Sequence, residues 1–232
     1  MILSIIIPVY NEEKTILKIL RKIENQKYVK KQILIVDDCS IDGSLRKIKN
    51  FKFKSKFKIF SHKKNLGKGA CIITAKKYVK GDIVIIQDAD LEYNPKDYEL
   101  ILTQFKNKKK LAVYGSRVIN KNRYKNINFI SNFRILANHI LTIFSNIVNR
   151  QKLTDAHTCY KAVRVKIFNK IELSEKGFAF CPELTTKLSN LNISIHEVPI
   201  SYKGREFAEG KKIRLSDGIY ALYALIKHKI SK

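Results

Sequence analysis

The chain has 232 residues, 45% of them hydrophobic, enough to bury a sizeable core as one large α/β domain or two small ones. Lys and Arg number 46 against 20 Asp and Glu, a formal net charge of +26. That surface favours polyanions, whether nucleic acid, anionic lipid headgroups or phosphorylated substrates, although Lys, Ile and Asn are abundant throughout and part of the charge is compositional. No stretch approaches the roughly 18 apolar residues that would span a bilayer. The N-terminus opens on a strand-like run instead of a charged segment and apolar core, so no signal peptide is expected. The cysteines, Cys39, Cys71, Cys159 and Cys181, form no C-x-x-C pair, and reduced cytosolic thiols are expected.

Residues 2–7 read as a strand closed by Pro8. Asn11 suits an N-cap, with Glu12 and Glu13 in the first turn of a helix carrying Ile16, Ile19, Leu20 and Ile23 at helical spacing to about Asn25. A second strand, Gln32–Val36, ends in Asp37-Asp38-Cys39-Ser40 and a turn through Asp42-Gly43-Ser44. Phe57–Phe60 make a third strand, and Asn65-Leu66-Gly67-Lys68-Gly69 opens a helix to about Val79. Two glycines around a Lys at a helix start suit either a phosphate or a close-packed helix entry. This β-α alternation implies a parallel sheet.

Ile83–Ile86 is a short apolar run after Gly81, a buried parallel strand leading into Asp88-Ala89-Asp90. Ligands of open α/β sheets bind beyond the carboxyl ends of the strands. Residues two apart on extended backbone point the same way, so Asp88 and Asp90 can face one metal ion. An Asp-x-Asp after a strand also starts turns and caps helices; the recurrence of polar strand ends at 8–12, 36–38 and 88–90 favours a site over a cap. Pro95 starts a further helix, and Leu111–Tyr114 form a fifth strand ending in Gly115-Ser116-Arg117. Lys106–Lys110 and Asn120–Asn128 read as basic loops.

Beyond residue 128, Ile130, Phe133, Ala137, Ile140, Leu141, Phe144, Ile147 and Val148 define one helix face, with Arg134, Asn138, Ser145 and Arg150 mainly off it. It suits packing on the sheet or lying on a membrane. Asp155–Lys161 reads as a loop, 182–189 as a short helix and Ile193–Tyr202 as a late strand. Gly204–Lys212 has the composition of a loop closing over an anion. Ser216 caps a last helix with Ile219, Leu222, Leu225 and Ile226, followed by Lys227, His228, Lys229 and Lys232. That basic amphipathic end suits a membrane surface or docking on the domain.

Taken as an ordered set, Pro8-Val9-Tyr10-Asn11-Glu12, Val36-Asp37-Asp38 with Ser40 and Asp42-Gly43-Ser44, Asn65-x-Gly67-Lys68-Gly69, and Asp82 through Glu92 resemble the inverting glycosyltransferase family 2. The nearest branch is the dolichyl- or polyprenyl-phosphate mannose or glucose synthases. Gly115-Ser116-Arg117 and Val198-Pro199-Ile200 with Arg205 and Gly210-Lys211 extend the resemblance over nearly the whole chain. It implies an α/β GT-A fold, a Rossmann-like, mostly parallel sheet flanked by helices, with amphipathic C-terminal helices. It also implies a single domain over 1–232, with 1–118 as the nucleotide-sugar half and 119–232 as the acceptor side.

By the same resemblance, Pro8, Tyr10, Glu12, Val36 and Asp38 would hold base and ribose. Asp88, Ala89 and Asp90 would meet the diphosphate and a Mg²⁺ or Mn²⁺ ion, with Glu92 as a further ligand. Arg117, Arg205 and Lys211 would contact donor or acceptor phosphates. Two departures stand out: Glu92 replaces a neutral residue of the mannose synthases, and Thr158-Cys159-Tyr160-Lys161 replaces a Ser-Gly-Phe-Arg-like segment.

Hard oxygen ligands suit Mg²⁺ or Mn²⁺. The expected reaction moves a hexose from a nucleotide sugar of the GDP-mannose or UDP-glucose type to a polyprenyl phosphate, peripherally on an anionic membrane at its cytoplasmic face. The expected catalytic residues are Asp90, Arg117 and Asp155, the last as base if the acceptor is instead a saccharide hydroxyl; a structural loop carboxylate is the plainer role for Asp155. A basic nucleic-acid-binding protein is the alternative of another class, but no helix-turn-helix, zinc or RNP-type signature is present, so nucleic acid is not expected as a partner. Nucleotidyl transfer would ordinarily place a glycine-rich loop after strand 1, where Pro8-Val9-Tyr10-Asn11 stands.

Overall fold

The computed structural model describes residues 1–119, 129–205 and 215–230. Lys211, the 120–128 loop and the 206–212 part of the basic late segment lie outside the described residues, as does Lys232. The elements run β1 (Ile2–Val9), α1 (Ile16–Glu24), β2 (Lys30–Asp37), α2 (Ser44–Lys49), β3 (Lys56–Ser61), α3 (Lys68–Lys76) and β4 (Ile83–Ile86). A 3₁₀ turn at Pro95–Asp97 leads into α4 (Tyr98–Gln104), β5 (Ala112–Ser116), α5 (Phe129–Asn149), β6 (Lys161–Arg164) and α6 (Val165–Phe168). The chain continues through α7 (Phe180–Asn190), β7 (Ile195–Pro199) and α8 (Leu215–Ile230).

Seven strands form one sheet in the order β3-β2-β1-β4-β6-β5-β7. All pairings are parallel except those of β6, which runs antiparallel to β4 and β5. The expected mostly parallel sheet flanked by helices is therefore present, and strands from beyond residue 118 belong to it. Ile5, Ile6 and Ile7 of central β1 point alternately to opposite faces, yet all are fully buried, so helices cover both faces. Burying each such side chain contributes about 2 kcal/mol.

Several local expectations need correction. Pro8 does not close β1; it pairs in register with Val36, while the β4 ladder stops at Ile6–Ile86, so its missing N–H falls where pairing is one-sided. Asn11 is not an N-cap. The helix begins at Ile16 with Thr15 at the cap position and no acidic residue in the first turn. Asn11 sits at φ 49°, and its Oδ1 accepts from the Ile41 N–H at 2.9 Å. Residues 11–13 instead donate their N–H groups to Ser40, Ser44 and Asp42 at 3.0, 2.8 and 3.0 Å. This ties the end of β1 to the turn after β2.

Residues 161–164, expected to start from a loop, are β6, the strand that fills the gap between β4 and β5. Lys161 opens it from a fully buried position, its Nζ donating to the Ala156 carbonyl at 2.6 Å and lying 3.8 Å from the Tyr114 ring. Burial pulls its ammonium down to about 8. Between pH 8 and 10.5 the unfolded chain keeps a proton that the folded chain has lost, so Lys161 makes stability rise with pH there and adds no slope below. Relative to Lys161→Met, wild type is expected to gain about 3 kcal/mol across that window in urea titrations. Parallel pH profiles would overturn this.

The turn before α3 shows why its glycines are there. Gly67 adopts φ +95°, and a Cβ on it would lie 2.6 Å from the Lys176 carbonyl oxygen. Gly69 is covered as closely by Glu175, and Ala70 N–H donates to Lys176 at 2.9 Å. The 174–177 segment is held by Glu183, a fully buried carboxylate accepting from Ser174 N–H, Ser174 Oγ and Glu175 N–H at 2.7–2.9 Å and paired with Lys187 at 2.8 Å. Here the close-packed helix entry, not a phosphate cradle, accounts for both glycines.

α5 packs mainly on α7 and α8 instead of the sheet. Its inward residues are Thr142, Ser145 and Asn149, whereas Leu136, Ile140, Ile143 and Ile147 are exposed. Leu141, Phe144 and Val148 of the expected face are half-buried, so the helix is rotated about its axis; on its inner side Asn149 donates to Ser145 Oγ at 3.3 Å, and Ser189 Oγ donates to the Asn149 carbonyl at 2.7 Å. On α8, Ala221, Ala224 and Leu225 face inward while Ile219, Tyr220, Tyr223, Ile226 and Ile230 face out. The Ser216 side chain lies outside the description. Among the described residues, no helix is long and apolar enough to cross a membrane.

Candidate active site

The site is built from the carboxyl end of β4. Gln87, fully buried, accepts at Oε1 from the Tyr98 and Tyr160 hydroxyls at 2.5 and 2.7 Å, and its Nε2 donates to the Asp88 carbonyl at 2.9 Å. Three bonds thus fix the backbone from which the two aspartates project. Sequence reasoning gave Gln87 no role; a polar residue directly after four apolar ones was the available signal.

Asp88 is ion-paired with Lys68, whose Nζ also donates to Cys159 Sγ at 3.4 Å. Burial works against the Lys68 charge, but Asp88 beside it holds its value well above the ordinary one. Lys68 therefore balances Asp88 inside the protein. Asp90 faces Arg205 at 3.0 Å, and Arg205 also reaches both Glu12 oxygens at 3.3 Å. Burial pushes the Asp90 carboxyl up to about 7; Asp88 and Glu92 add to the rise and Arg205 opposes it. Glu92 serves as a clip: its oxygens accept from Tyr202 Oη and Arg205 N–H, both at 2.8 Å, and its carbonyl from Lys203 N–H at 2.9 Å.

Arg117 and Asp155 form a second, tighter pair. Nε and Nη2 of Arg117 donate to the two Asp155 oxygens at 2.6 and 2.8 Å, and Arg117 N–H adds a third bond at 3.1 Å. The guanidinium lies 5.0 Å from the Tyr202 ring. Although burial raises the Asp155 carboxyl, Arg117 holds it below the usual carboxylate value. Its oxygens are committed to the arginine, which is the structural role weighed for it above.

At the end of β2, Asp38 accepts from Leu66 N–H and His62 Nδ1 at Oδ1 and from Gly67 N–H at Oδ2, at 2.7–2.9 Å. The residue expected to meet base or ribose thus positions the turn before α3. Next to it, Asp37 Oδ1 is buried without a hydrogen-bond partner among the described residues. Pro8 and Val36 are register partners, Val36 and Ala89 are buried, and Tyr10 is half-buried.

Among the described residues, side-chain ligand atoms of three His, Cys, Asp or Glu residues approach within 4.8 Å at Asp38, His62 and Cys71, not at Asp88, Asp90 and Glu92. The first group is a hydrogen-bonded core: His62 Nε2 is also bonded to Thr74 at 2.9 Å, and burial drives the Cys71 thiol far up, so it stays protonated. The donor set at β4 does fit a hard divalent ion. Glu12, Asp88, Asp90 and Glu92 bring carboxylate oxygens to this end of the sheet beside Lys68 and Arg205, the hard oxygen donors such an ion takes.

This architecture is shared with solved sugar transferases. Glucosyl-3-phosphoglycerate synthase from Mycobacterium tuberculosis, solved with Mn²⁺ and UDP-glucose, superposes with a TM-score of 0.69 at 15% identity over 99% of this chain and 78% of that one. S. aureus TarS 1–349, solved with UDP-GlcNAc, gives 0.63 at 18% identity over 99% of this chain and 66% of that one. The fold of the chain is thus GT-A. The chain belongs to Glycosyl transferase family 2, whose sequence pattern matches residues 4–172.

Its relatives include dolichyl-phosphate glycosyltransferases. The UDP-N-acetylglucosamine–dolichyl-phosphate N-acetylglucosaminyltransferase of Methanococcus voltae is 27% identical, with 100% of this chain and 97% of that protein aligned. The dolichol-phosphate mannosyltransferase of Pyrococcus furiosus is 26% identical over 90% of this chain, which spans 58% of that enzyme's length.

Proposed function

We propose that this chain transfers a hexose or N-acetylhexosamine from a nucleoside-diphosphate sugar to a polyprenyl phosphate, working peripherally at the cytoplasmic face of an anionic membrane. The observation that carries the reading is the exposed aliphatic strip of α5. Small polar residues turn inward while Leu136, Ile140, Ile143 and Ile147, the last 72% exposed, turn out. α8, packed beside it, presents Tyr223 at 61% and Ile230 at 77% exposure. Aromatic and aliphatic residues on neighbouring helices suit the headgroup boundary of a bilayer, and a net charge of +26 suits anionic lipid. A lipid acceptor would bring its phosphate to that surface.

The pairing of Asp155 supports the same acceptor. A phosphate oxygen is already anionic near neutral pH and needs no general base, whereas a saccharide hydroxyl does. Asp88 and Asp90 would hold Mg²⁺ or Mn²⁺, which when bound offsets charge on the departing nucleoside diphosphate. Gln87 fixes these aspartates, Glu92 fixes the 202–205 segment, and Arg205 would be a cation for the donor phosphates.

The test uses purified protein with Mg²⁺ or Mn²⁺, a panel of GDP-mannose, UDP-glucose and UDP-GlcNAc, and polyprenyl phosphate in vesicles or as a short water-soluble analogue. Transfer to both acceptors is expected. Ile143→Glu with Tyr223→Glu, both exposed positions, should cut transfer on vesicles about tenfold and leave the soluble acceptor unaffected. No transfer to any prenyl phosphate, or transfer to saccharide hydroxyls alone, would overturn the proposal.

A further inference from the structure

The two half-buried arginines differ in how well they fit their acids. Arg117 meets Asp155 through a flat two-pronged contact at 2.6 and 2.8 Å. Arg205 is shared among three carboxylates at longer range: 3.0 Å to Asp90, 3.3 Å to each Glu12 oxygen and 3.8 Å from its Nε to Glu92. Its Nε is buried with no hydrogen-bond partner among the described residues. A guanidinium donates in a fixed plane, and one group shared among three carboxylates meets none of them as closely as Arg117 meets Asp155. A spherical divalent ion has no such restriction.

The backbone around Arg205 is fixed independently of its side chain. Glu92 receives Arg205 N–H, Lys203 N–H and the Tyr202 hydroxyl at 2.8–2.9 Å. The side chain can therefore leave the acids by rotation about its own bonds, with no loop movement.

We propose that Arg205 and the catalytic divalent cation compete for the same carboxylates, so that Arg205 is released from Asp90 and Glu12 when the ion binds and is handed to the donor's diphosphate. This rests on the metal-dependent reading above and adds a coupling to it. Arg205 weakens metal binding to the protein alone and strengthens nucleotide binding once metal is present. Metal and donor then enter together, and a nucleotide without metal finds the guanidinium engaged. Asp88 is not among the acids that Arg205 gives up, because it pairs with Lys68.

The experiment is a Mn²⁺ titration, following free Mn²⁺ by electron paramagnetic resonance, on wild type, Arg205→Gln and Arg205→Lys, each with and without UDP or GDP. Without nucleotide, Arg205→Gln should bind Mn²⁺ about tenfold tighter than wild type, because a nearby positive charge is gone. Arg205→Lys should resemble wild type. With Mn²⁺ saturating, Arg205→Gln should bind the nucleotide about tenfold more weakly. Mn²⁺ should also raise the unfolding temperature of Arg205→Gln more than that of wild type, which reads the exchange from stability alone. If wild type binds Mn²⁺ and the folded glutamine variant binds it no tighter, the exchange is wrong while the metal-dependent reading stands. If no variant binds Mn²⁺ even with nucleotide, both fall.

Discussion

Asp90→Asn is expected to lower the rate of sugar transfer by roughly a thousandfold, the effect of removing several kcal/mol of charge stabilisation at the leaving diphosphate. It should do so without unfolding the protein. Burial, with Asp88 and Glu92 nearby, has already raised the Asp90 carboxyl to about 7. Removing one negative charge relieves that strain, and the Asn carbonyl oxygen can keep the bond that Asp90 Oδ1 accepts from Glu92 N–H at 3.1 Å. The check pairs initial-rate assays over the sugar-nucleotide panel with an unfolding curve. Transfer within tenfold of wild type would remove Asp90 from the chemistry. An unfolding midpoint well below wild type would show that its role is structural.

Asp155→Asn is expected to show the opposite pattern. Breaking a buried, doubly bonded ion pair leaves Arg117 uncompensated, at a cost of about 3–5 kcal/mol. In a chain of this length that lowers the unfolding temperature by about 10 °C. Arg117→Met combined with Asp155→Leu should recover most of the loss, because neither charge then remains buried alone. At a temperature where the single variant is folded, transfer to a prenyl phosphate should stay within about tenfold of wild type and keep the shape of its pH profile. Loss of the basic limb of that profile, with stability intact, would restore Asp155 as a general base.

The strands were the most readable part of the chain because their signal is local. Ile83–Ile86 stands as expected, since four β-branched residues between Gly81 and a polar turn leave little else for the backbone to do. β6 was hidden because its first residue is a lysine, and only the Tyr114 ring and the Ala156 carbonyl explain how a lysine lies buried there. α5 was legible as a helix but not in its orientation. Its apolar face suited the sheet or a membrane alike, and the contact that turns Asn149 inward comes from Ser189, 40 residues on.

The site divides in the same way. Asp88, Asp90, Glu92 and Arg205 were named from motif positions, and the structure brings Asp90, Glu92 and Arg205 together with Glu12. Which acid pairs with which base was not legible. Arg205 meets Glu12 across 193 residues and Lys68 reaches Cys159 across 91, and such pairs depend on how the sheet closes. Lys68 illustrates the cost of reading locally: its glycine neighbours suggested a phosphate loop, whereas its side chain turns inward to Asp88.

The insertion of β6 between β4 and β5 also has a bearing on how the protein must assemble. β4 is ready as soon as residues 1–86 have been made, but its outer edge stays bare until residues 161–164 arrive to cover it. The turn at Gly67–Gly69 waits similarly for residues 175–177. A nascent or truncated chain ending near residue 118 therefore presents an apolar strand with unpaired backbone groups, the kind of surface on which chains aggregate. Closure across such separations is slow, so the strand edge stays open to other chains until it is complete.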